Sequence, residues 1–316
     1  FLNELITGNN LTQKESGALL ENIISGNYSP IQGGAILTAL RIKGESVKEI
    51  IGFIKTMRKH MVKIKAKNAI DIVGTGGDGS GTFNISTITA LVASGAGVTV
   101  AKHGNRSVSS KCGSADILEA LGVKIDMDTE KIKKCLEEIG IAFLFAPNLH
   151  LAMRHVVPAR KQIAQKTIFN ILGPLINPAR ATNQLIGVYS KQWVRPLAQV
   201  LRNLGSKHIL VVHGADGLDE VTTTDKTFVT EASGGLLKDY EIVPEDFGFK
   251  RASLGDLSGG SIDENVKIVQ SLLAKEPGSR RDIVLLNAGA AIYAADRAKT
   301  IAEGIKLAKE SIDSGA

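Results

Sequence analysis

One stretch of this chain restricts its fold more than any other. Gly74-Thr75-Gly76-Gly77-Asp78-Gly79-Ser80-Gly81-Thr82-Phe83-Asn84 lies between an apolar, β-branched run (residues 69–73) and an apolar helical pattern at about residues 86–94. Five glycines in eight residues let the backbone come close to a ligand and turn successive N–H groups toward it. A strand, a glycine turn and a helix in that order form the opening of an α/β unit, with Asn84, Ser86 and Thr87 at a helix start that favours an anion. A mobile linker does not explain the stretch, because linkers rarely join a buried strand to an apolar helix. Neither a Walker loop nor the dinucleotide fingerprint fits the spacing. A phosphate cradle is the expected role.

On either side of this turn the pattern differs. The first 64 or so residues read as helices: Thr12 and Glu15 have capping-box spacing, Ser29-Pro30 starts a second helix, Gly44 closes it, and Ser46 with Glu49 opens a third. Apolar positions recur at helical spacing through Leu19, Leu20, Ile23, Ile24, Ile36, Leu37, Leu40, Ile50, Ile51, Ile54 and Met57, without a strand signal, so a bundle is expected. Beyond residue 64, strand candidates at 69–73, 98–100, 123–125, 142–145, 185–189, 209–212 and 283–286 alternate with helix-like segments. The runs 227–230 and 236–243 around Gly234-Gly235 look like a hairpin, and residues 298–311 like a last helix. The fold class expected is α/β, a small N-terminal α-helical bundle domain plus a large α/β domain with a mostly parallel central sheet.

A second loop lies on the same sheet edge. Lys102-His103-Gly104-Asn105-Arg106-Ser107-Val108-Ser109-Ser110-Lys111 carries three cations and three hydroxyls in ten residues, which suits a polyanion. In open parallel sheets ligands bind outside the carboxyl ends of the strands, so the two loops are expected to converge. The net charge of +6, from 38 Lys and Arg against 32 Asp and Glu, agrees with an anionic substrate but does not require one. Two cysteines, Cys112 and Cys135, exclude a disulfide framework and have no metal-site spacing. No apolar run approaches 18 uncharged residues and no signal-peptide pattern opens the chain, so a soluble cytoplasmic protein with no membrane partner is expected. A chain opening at Phe1 rather than Met is expected to lack a few initial residues.

The glycine loop followed by Lys102-His103-Gly104-Asn105-Arg106, then Arg160, Thr167-Ile168-Phe169-Asn170-Ile171-Leu172-Gly173-Pro174-Leu175, His213-Gly214 and Asp219-Glu220, resembles the anthranilate phosphoribosyltransferases, of the nucleoside phosphorylase/phosphoribosyltransferase-like fold. The resemblance spans essentially the whole chain. It implies transfer of phosphoribose from phosphoribosyl pyrophosphate to the amine of anthranilate, in tryptophan biosynthesis, with Mg²⁺ as cofactor. It implies a phosphoribosyl pyrophosphate site at Gly74, Gly77, Asp78, Thr82, Asn84, Ser86, Thr87, Lys102, Arg106, Ser107, Ser109, Ser110 and Ser114. Ser86, Asp219 and Glu220 would hold the metal. Anthranilate contacts carry over to Gly74, Asn105 and Arg160, with His103, His150 and Gly173 lining the approach. No general base is assigned, and His103 is the candidate for taking up a proton.

The residue types agree with these roles. Adjacent carboxylates and a hydroxyl are hard donors suited to Mg²⁺, and a planar guanidinium suits a carboxylate. The domains expected are 1–64, joined by helices from about 150–176, and 65–149 with 177–316. A homodimer and an association with anthranilate synthase components are the protein partners implied. Three positions depart from the usual family pattern: Ser107 replaces alanine, Cys112 replaces serine, and Leu151 stands where proline commonly follows the histidine. Two rival readings are a pyrimidine nucleoside phosphorylase, which would use phosphate and lacks Gly104-Asn105-Arg106, and a nucleic-acid-binding relative. The second would need a basic stripe, whereas the cations here gather at the substrate loop, and aromatic residues for stacking make up only 4%.

Overall fold

The computed structural model describes residues 1–107 and 111–316. Two compact units are present, one of Phe1–Lys63 with Ala146–Pro178 and one of Ile64–Phe145 with Ala179–Ala316. No helix among the described residues is long and apolar enough to cross a membrane.

The first unit is helical for reasons visible in its caps. The helices Gln13–Ile24, Pro30–Lys43 and Val47–His60 each open on a reciprocal capping box, at Thr12/Glu15, Ser29/Gln32 and Ser46/Glu49. Leu19, Leu20, Leu37, Leu40, Ile50, Phe53 and Ile54 fill the space between the helices. The Glu49 carboxylate is buried but not unpaired. It accepts hydrogen bonds from the backbone N–H of Ser46 and Leu11 at 2.8 and 2.9 Å, and from Lys43 Nζ at 2.9 Å. The later helix Val157–Ile163 packs on Pro30–Lys43, and Arg58 reaches the carbonyl of Leu175 at 3.1 Å.

The second unit is a seven-stranded sheet of order β3-β2-β1-β4-β5-β6-β7. The strands are β1 (Ile70–Gly74), β2 (Val100–Gly104), β3 (Ile141–Phe145), β4 (Asn183–Gly187), β5 (His208–Gly214), β6 (Thr227–Ser233) and β7 (Leu236–Ile242). The first five are parallel, while β6 and β7 form the expected antiparallel hairpin on the edge. Helices Ile85–Gly95 and Ser279–Ala294 pack against each other and on the sheet.

Two expected strands are absent. Residues 123–125 form an unpaired connection, because only Ile125 is buried, between Lys124 and Asp126, and Val123 is left exposed. Residues 283–286 lie inside Ser279–Ala294. That helix is buried on nearly every face, so its apolar run loses the helical period and imitates a strand. A third difference concerns length: β2 continues through Lys102 and His103, so these belong to the strand and not to the loop after it.

At the amino end of β5, His208 is buried between two carboxylates. Its Nδ1 lies 2.6 Å from Asp296 Oδ1 and its Nε2 3.2 Å from Glu231 Oε1. Glu231 also accepts from the hydroxyls of Tyr293 at 2.7 Å and Tyr240 at 2.9 Å. Burial opposes both charges, but the hydrogen bonds outweigh it, raising the His208 pKa and holding Glu231 down to about 2. The raised histidine contributes stability that is complete below its unfolded value of 6.5 and is lost as pH rises through its higher folded value. The lowered glutamate contributes above 4.5, and its contribution is lost as pH falls toward 2. Stability from this cluster should therefore be greatest between pH 4.5 and 6.5. Thermal unfolding as a function of pH should show this plateau. Glu231→Gln should lower stability within it by about 1–3 kcal/mol and flatten the decline on the alkaline side.

Candidate functional site

The strand order reverses beside β1, whose crossover leads to β2 on one side while β4 lies on the other. That switch point is where an open parallel sheet presents a crevice beyond its carboxyl ends. Gly74 ends β1 and is in register with Gly187, which ends β4. Both must be glycine for the same reason. A Cβ at Gly74 would collide with the Asp219 carboxylate, and one at Gly187 with the Asp219 backbone carbonyl. Asp219 therefore lies directly over the crevice, and its Oδ2 accepts a 2.6 Å hydrogen bond from the Gly76 N–H.

The glycine loop is held at both ends, and the Gly81 carbonyl also accepts from the Gly259 N–H at 2.9 Å. Thr75 N–H donates to the Gly187 carbonyl at 3.0 Å, and the Phe83 N–H donates to the Leu257 carbonyl at 3.0 Å. Gly76, Gly77, Gly79 and Gly81 all have φ between 66° and 75°, a conformation that side chains disfavour. Asp78 turns inward to accept from the Ser80 N–H and hydroxyl at 3.2 and 2.8 Å. Asn84 caps the helix Ile85–Gly95, its Oδ1 accepting from the Thr87 N–H at 3.3 Å, so Ser86 and Thr87 stand in the first turn. The Thr87 hydroxyl is buried and has no hydrogen-bond partner among the described residues.

Lys102 and the acidic pair face each other across this loop. Lys102 Nζ donates to the Ile72 carbonyl at 2.7 Å and to Ser86 Oγ at 3.2 Å. Burial pushes its pKa down to about 8, against the pull of Asp71 and Glu220. Burial raises Asp219 to about 7, with Asp78 adding to the rise and the Gly76 N–H opposing it. Glu220 is pushed well above the usual range by desolvation and then by Asp219. Asp219 and Glu220, buried side by side near Asp78, resist ionising, and a cation among them would relieve that cost. Among the described residues no group of three or more His, Cys, Asp or Glu side chains can hold a metal ion on its own. The donors fit Mg²⁺ of the kind that completes its shell with water and substrate phosphate oxygens.

The loop after β2 is organised by an acid that sequence reasoning missed. Asp116 accepts from the N–H groups of Ser107 and Gly113 at 3.0 and 2.9 Å and from Arg106 at 3.1 Å. Arg106 also donates to Glu119 at 2.8 Å, so its guanidinium is engaged on the helix Ser114–Ala120 and not extended toward the crevice. Ser114 Oγ donates to the Asn105 carbonyl at 3.2 Å, while the Asn105 side chain is exposed. His103 is buried at 4% exposure. Ser109 and Ser110 lie outside the described residues. Asn265, also missed, is buried and accepts from the Asn84 N–H at 3.1 Å. Gly-x-x-Asp spacing ahead of a helix would have revealed Asp116, and a lone amide among the apolar positions of Ile262–Leu273 would have revealed Asn265.

The remaining residues lie in the helical unit. Arg160 is half-buried over the Phe169 ring, 5.6 Å from its centroid, and no carboxylate among the described residues pairs with it. Burial alone lowers its pKa, as expected of a cation without its anion. His150 is buried, which pushes its pKa down to about 4 and keeps the ring neutral. Gly173 begins a short 3₁₀ turn and faces open space.

Comparison with known proteins agrees with this geometry. The glycosyl transferase family helical bundle domain matches residues 1–61, and the glycosyl transferase family a/b domain matches residues 66–316. An anthranilate phosphoribosyltransferase of Symbiobacterium thermophilum is 51% identical over all of this chain and 93% of its own length. This chain belongs to the anthranilate phosphoribosyltransferase family. The crystal structure of the Thermus thermophilus anthranilate phosphoribosyltransferase superposes with a TM-score of 0.94 at 42% identity, covering 99% of this chain and 94% of that one. The Saccharomyces cerevisiae enzyme, at 29% identity and a TM-score of 0.90, covers 100% and 93%. It has been solved with phosphoribosyl pyrophosphate and Mg, and separately with 4-fluoroanthranilate.

Within this family member, Gly74→Ala should force the Asp219 carboxylate off the Gly76 N–H. Overpacking there should cost about 1–3 kcal/mol of stability. A crystal structure of the variant should show the Asp219 to Gly76 hydrogen bond broken, and an unmoved Asp219 would contradict the close-approach argument.

Proposed function

We propose that this chain transfers the 5-phosphoribosyl group of phosphoribosyl pyrophosphate to the amine of anthranilate, giving N-(5-phosphoribosyl)anthranilate and pyrophosphate. The observation that carries this reading is the Asp219 carboxylate, placed over the switch-point crevice within hydrogen-bond reach of the glycine loop. An acid there belongs with a metal-bound diphosphate and would repel a bare one.

In this reading the loop N–H groups from Gly74 to Thr82, the first turn at Asn84, Ser86 and Thr87, and Lys102 hold the diphosphate. Arg106, Ser107, Ser109 and Ser110 of the second loop, with Ser114 beyond it, complete the donor site once Arg106 leaves Asp116 and Glu119. Ser86, Asp219 and Glu220 would hold Mg²⁺, which offsets charge on the departing diphosphate when bound. Arg160, in a helical domain of residues 1–64 with about 150–176, receives the anthranilate carboxylate with its planar fork. Asn105 orients the amine, and Gly74, His103, His150 and Gly173 border the acceptor.

The bond from the anomeric carbon to the pyrophosphate oxygen breaks, and the electron pair leaves with pyrophosphate. The anthranilate nitrogen then bonds to that carbon and loses one proton. A neutral aromatic amine is already nucleophilic, so a strong general base is not required, and His103 is the candidate for receiving the proton. Fixed N–H dipoles and positioning supply most of the rate. Homodimerisation and association with anthranilate synthase components rest on the family resemblance.

The test is loss of anthranilate fluorescence on adding phosphoribosyl pyrophosphate and Mg²⁺, with pyrophosphate release measured in parallel. Asp219→Ala should cut kcat/KM for phosphoribosyl pyrophosphate by about 100-fold or more. Arg160→Ala should raise the KM for anthranilate by about 10–100-fold, the loss of one charge-assisted contact, and leave donor binding intact. Phosphate-dependent cleavage of uridine or thymidine, with no pyrophosphate released from anthranilate mixtures, would overturn the assignment.

A further inference from the structure

Asp219 and Glu220 lie on the connection between β5 and β6. Besides the hydrogen bond from the Gly76 N–H to Asp219, two anchors hold the backbone of that connection in place. On the β5 side, the Gly214 N–H donates to the Leu218 carbonyl at 2.9 Å, and the Leu218 N–H donates to Asp216 Oδ1 at 3.1 Å. On the other side, the anchor comes from far along the chain. Asn287 Oδ1 accepts from the Val221 N–H at 2.9 Å, and Asn287 Nδ2 donates to the Val221 carbonyl at 2.7 Å. The same Nδ2 donates to the Ile283 carbonyl at 2.8 Å, within its own helix. Both Asn287 and Val221 are at 0% exposure.

A side-chain amide that pairs with both polar groups of one residue fixes that residue's position and orientation, as a strand partner would. Here the gripped residue directly follows Glu220, and the grip comes from Ser279–Ala294, a buried helix packed on β1, β4 and β5. Only Asp219 and Glu220 lie between Leu218 and Val221. The backbone that carries the carboxylates therefore cannot shift away from the crevice without leaving the Val221 peptide unpaired in the core. The rest of that helix face is apolar, with Ile283, Val284, Ala290 and Ala291 all buried. An asparagine there has no packing advantage over leucine.

We propose that Asn287 is a positioning residue for the donor site: through its paired grip on Val221 it sets where Asp219 and Glu220 stand to receive the metal-bound diphosphate. It touches neither substrate nor metal. This inference rests on the functional reading above and goes beyond it by assigning a residue that no loop motif contains.

The test uses the full-length protein in three forms: unmodified, Asn287→Ala, and Ile292→Ala as a core-cavity control on the same helix. For each, the Mg²⁺ concentration giving half-maximal activity, the KM for anthranilate and the rise in Tm on adding phosphoribosyl pyrophosphate with Mg²⁺ are measured. Asn287→Ala should raise the half-saturating Mg²⁺ by about 10-fold or more, the usual effect of freeing a ligand from its support. It should also remove most of the ligand-induced rise in Tm, which depends on affinity and not on turnover. The KM for anthranilate should stay within about twofold. Ile292→Ala should lower the basal Tm and leave the Mg²⁺ requirement and the ligand-induced rise in place. Equal behaviour of Asn287→Ala and Ile292→Ala in those two measurements would overturn the proposal. Asn287→Ser keeps a hydroxyl able to bond the Ile283 carbonyl and should repeat the Mg²⁺ shift. If both Asn287 variants failed to fold even with ligand, the residue would belong to the fold alone and the proposal would fall. The unmodified protein separates the two claims, since absence of Mg²⁺-dependent turnover there would count against the functional reading and not against the grip.

Discussion

The donor half of the molecule depends on one close approach, that of Asp219 to the ends of β1 and β4. A carboxylate and a peptide carbonyl occupy the space that side chains at Gly74 and Gly187 would fill. That contact brings the β5–β6 connection onto the glycine loop and makes the acid and the N–H-rich turn parts of one site. Without it the loop would be an anion cradle without the Asp219-Glu220 pair, and that pair a solvated turn.

The same contact has an electrostatic cost. Asp219, Glu220 and Asp78 are crowded, and burial raises Asp219 and Glu220 while lowering Lys102. Asp219, Glu220 and Lys102 are held where their charged forms are disfavoured, and a metal diphosphate would satisfy the carboxylates and the ammonium together. Arg160 stands in a comparable condition, desolvated over Phe169 without a paired carboxylate among the described residues. His208 shows the alternative outcome. It is buried as well, but its two carboxylate partners are supplied by the protein, so its pKa rises and its role is structural. The difference between an unpartnered buried charge and a partnered one separates candidate binding groups from scaffold in this chain.

Much of the fold class was legible because local rules and tertiary packing agree. Capping boxes and the Ser29-Pro30 start marked three helices of the first unit, Gly234-Gly235 marked the hairpin, and short β-branched runs marked four of the five parallel strands closely. The failures each have a tertiary cause. In residues 283–286 a helix buried on nearly every face shows no period, and at 123–125 a short apolar run has no strand to pair with. In β2 the charged Lys102 concealed a strand position, because its Nζ is satisfied by a backbone carbonyl and a serine that are distant in sequence.

The sequence by itself determined the elements, the glycine turn with its φ demands, the chemistry of the carboxylate pair and, through its ordered motifs, the family. These are properties of residue types at short range. The tertiary structure alone decided that Asp219 reaches Gly74 and Gly76, that Arg106 is engaged by Asp116 and Glu119, and that Asn287 grips Val221. Such pairings depend on which strand ends share a sheet edge, and hydrogen bonds between residues 66 or 143 positions apart leave no periodic trace in the chain.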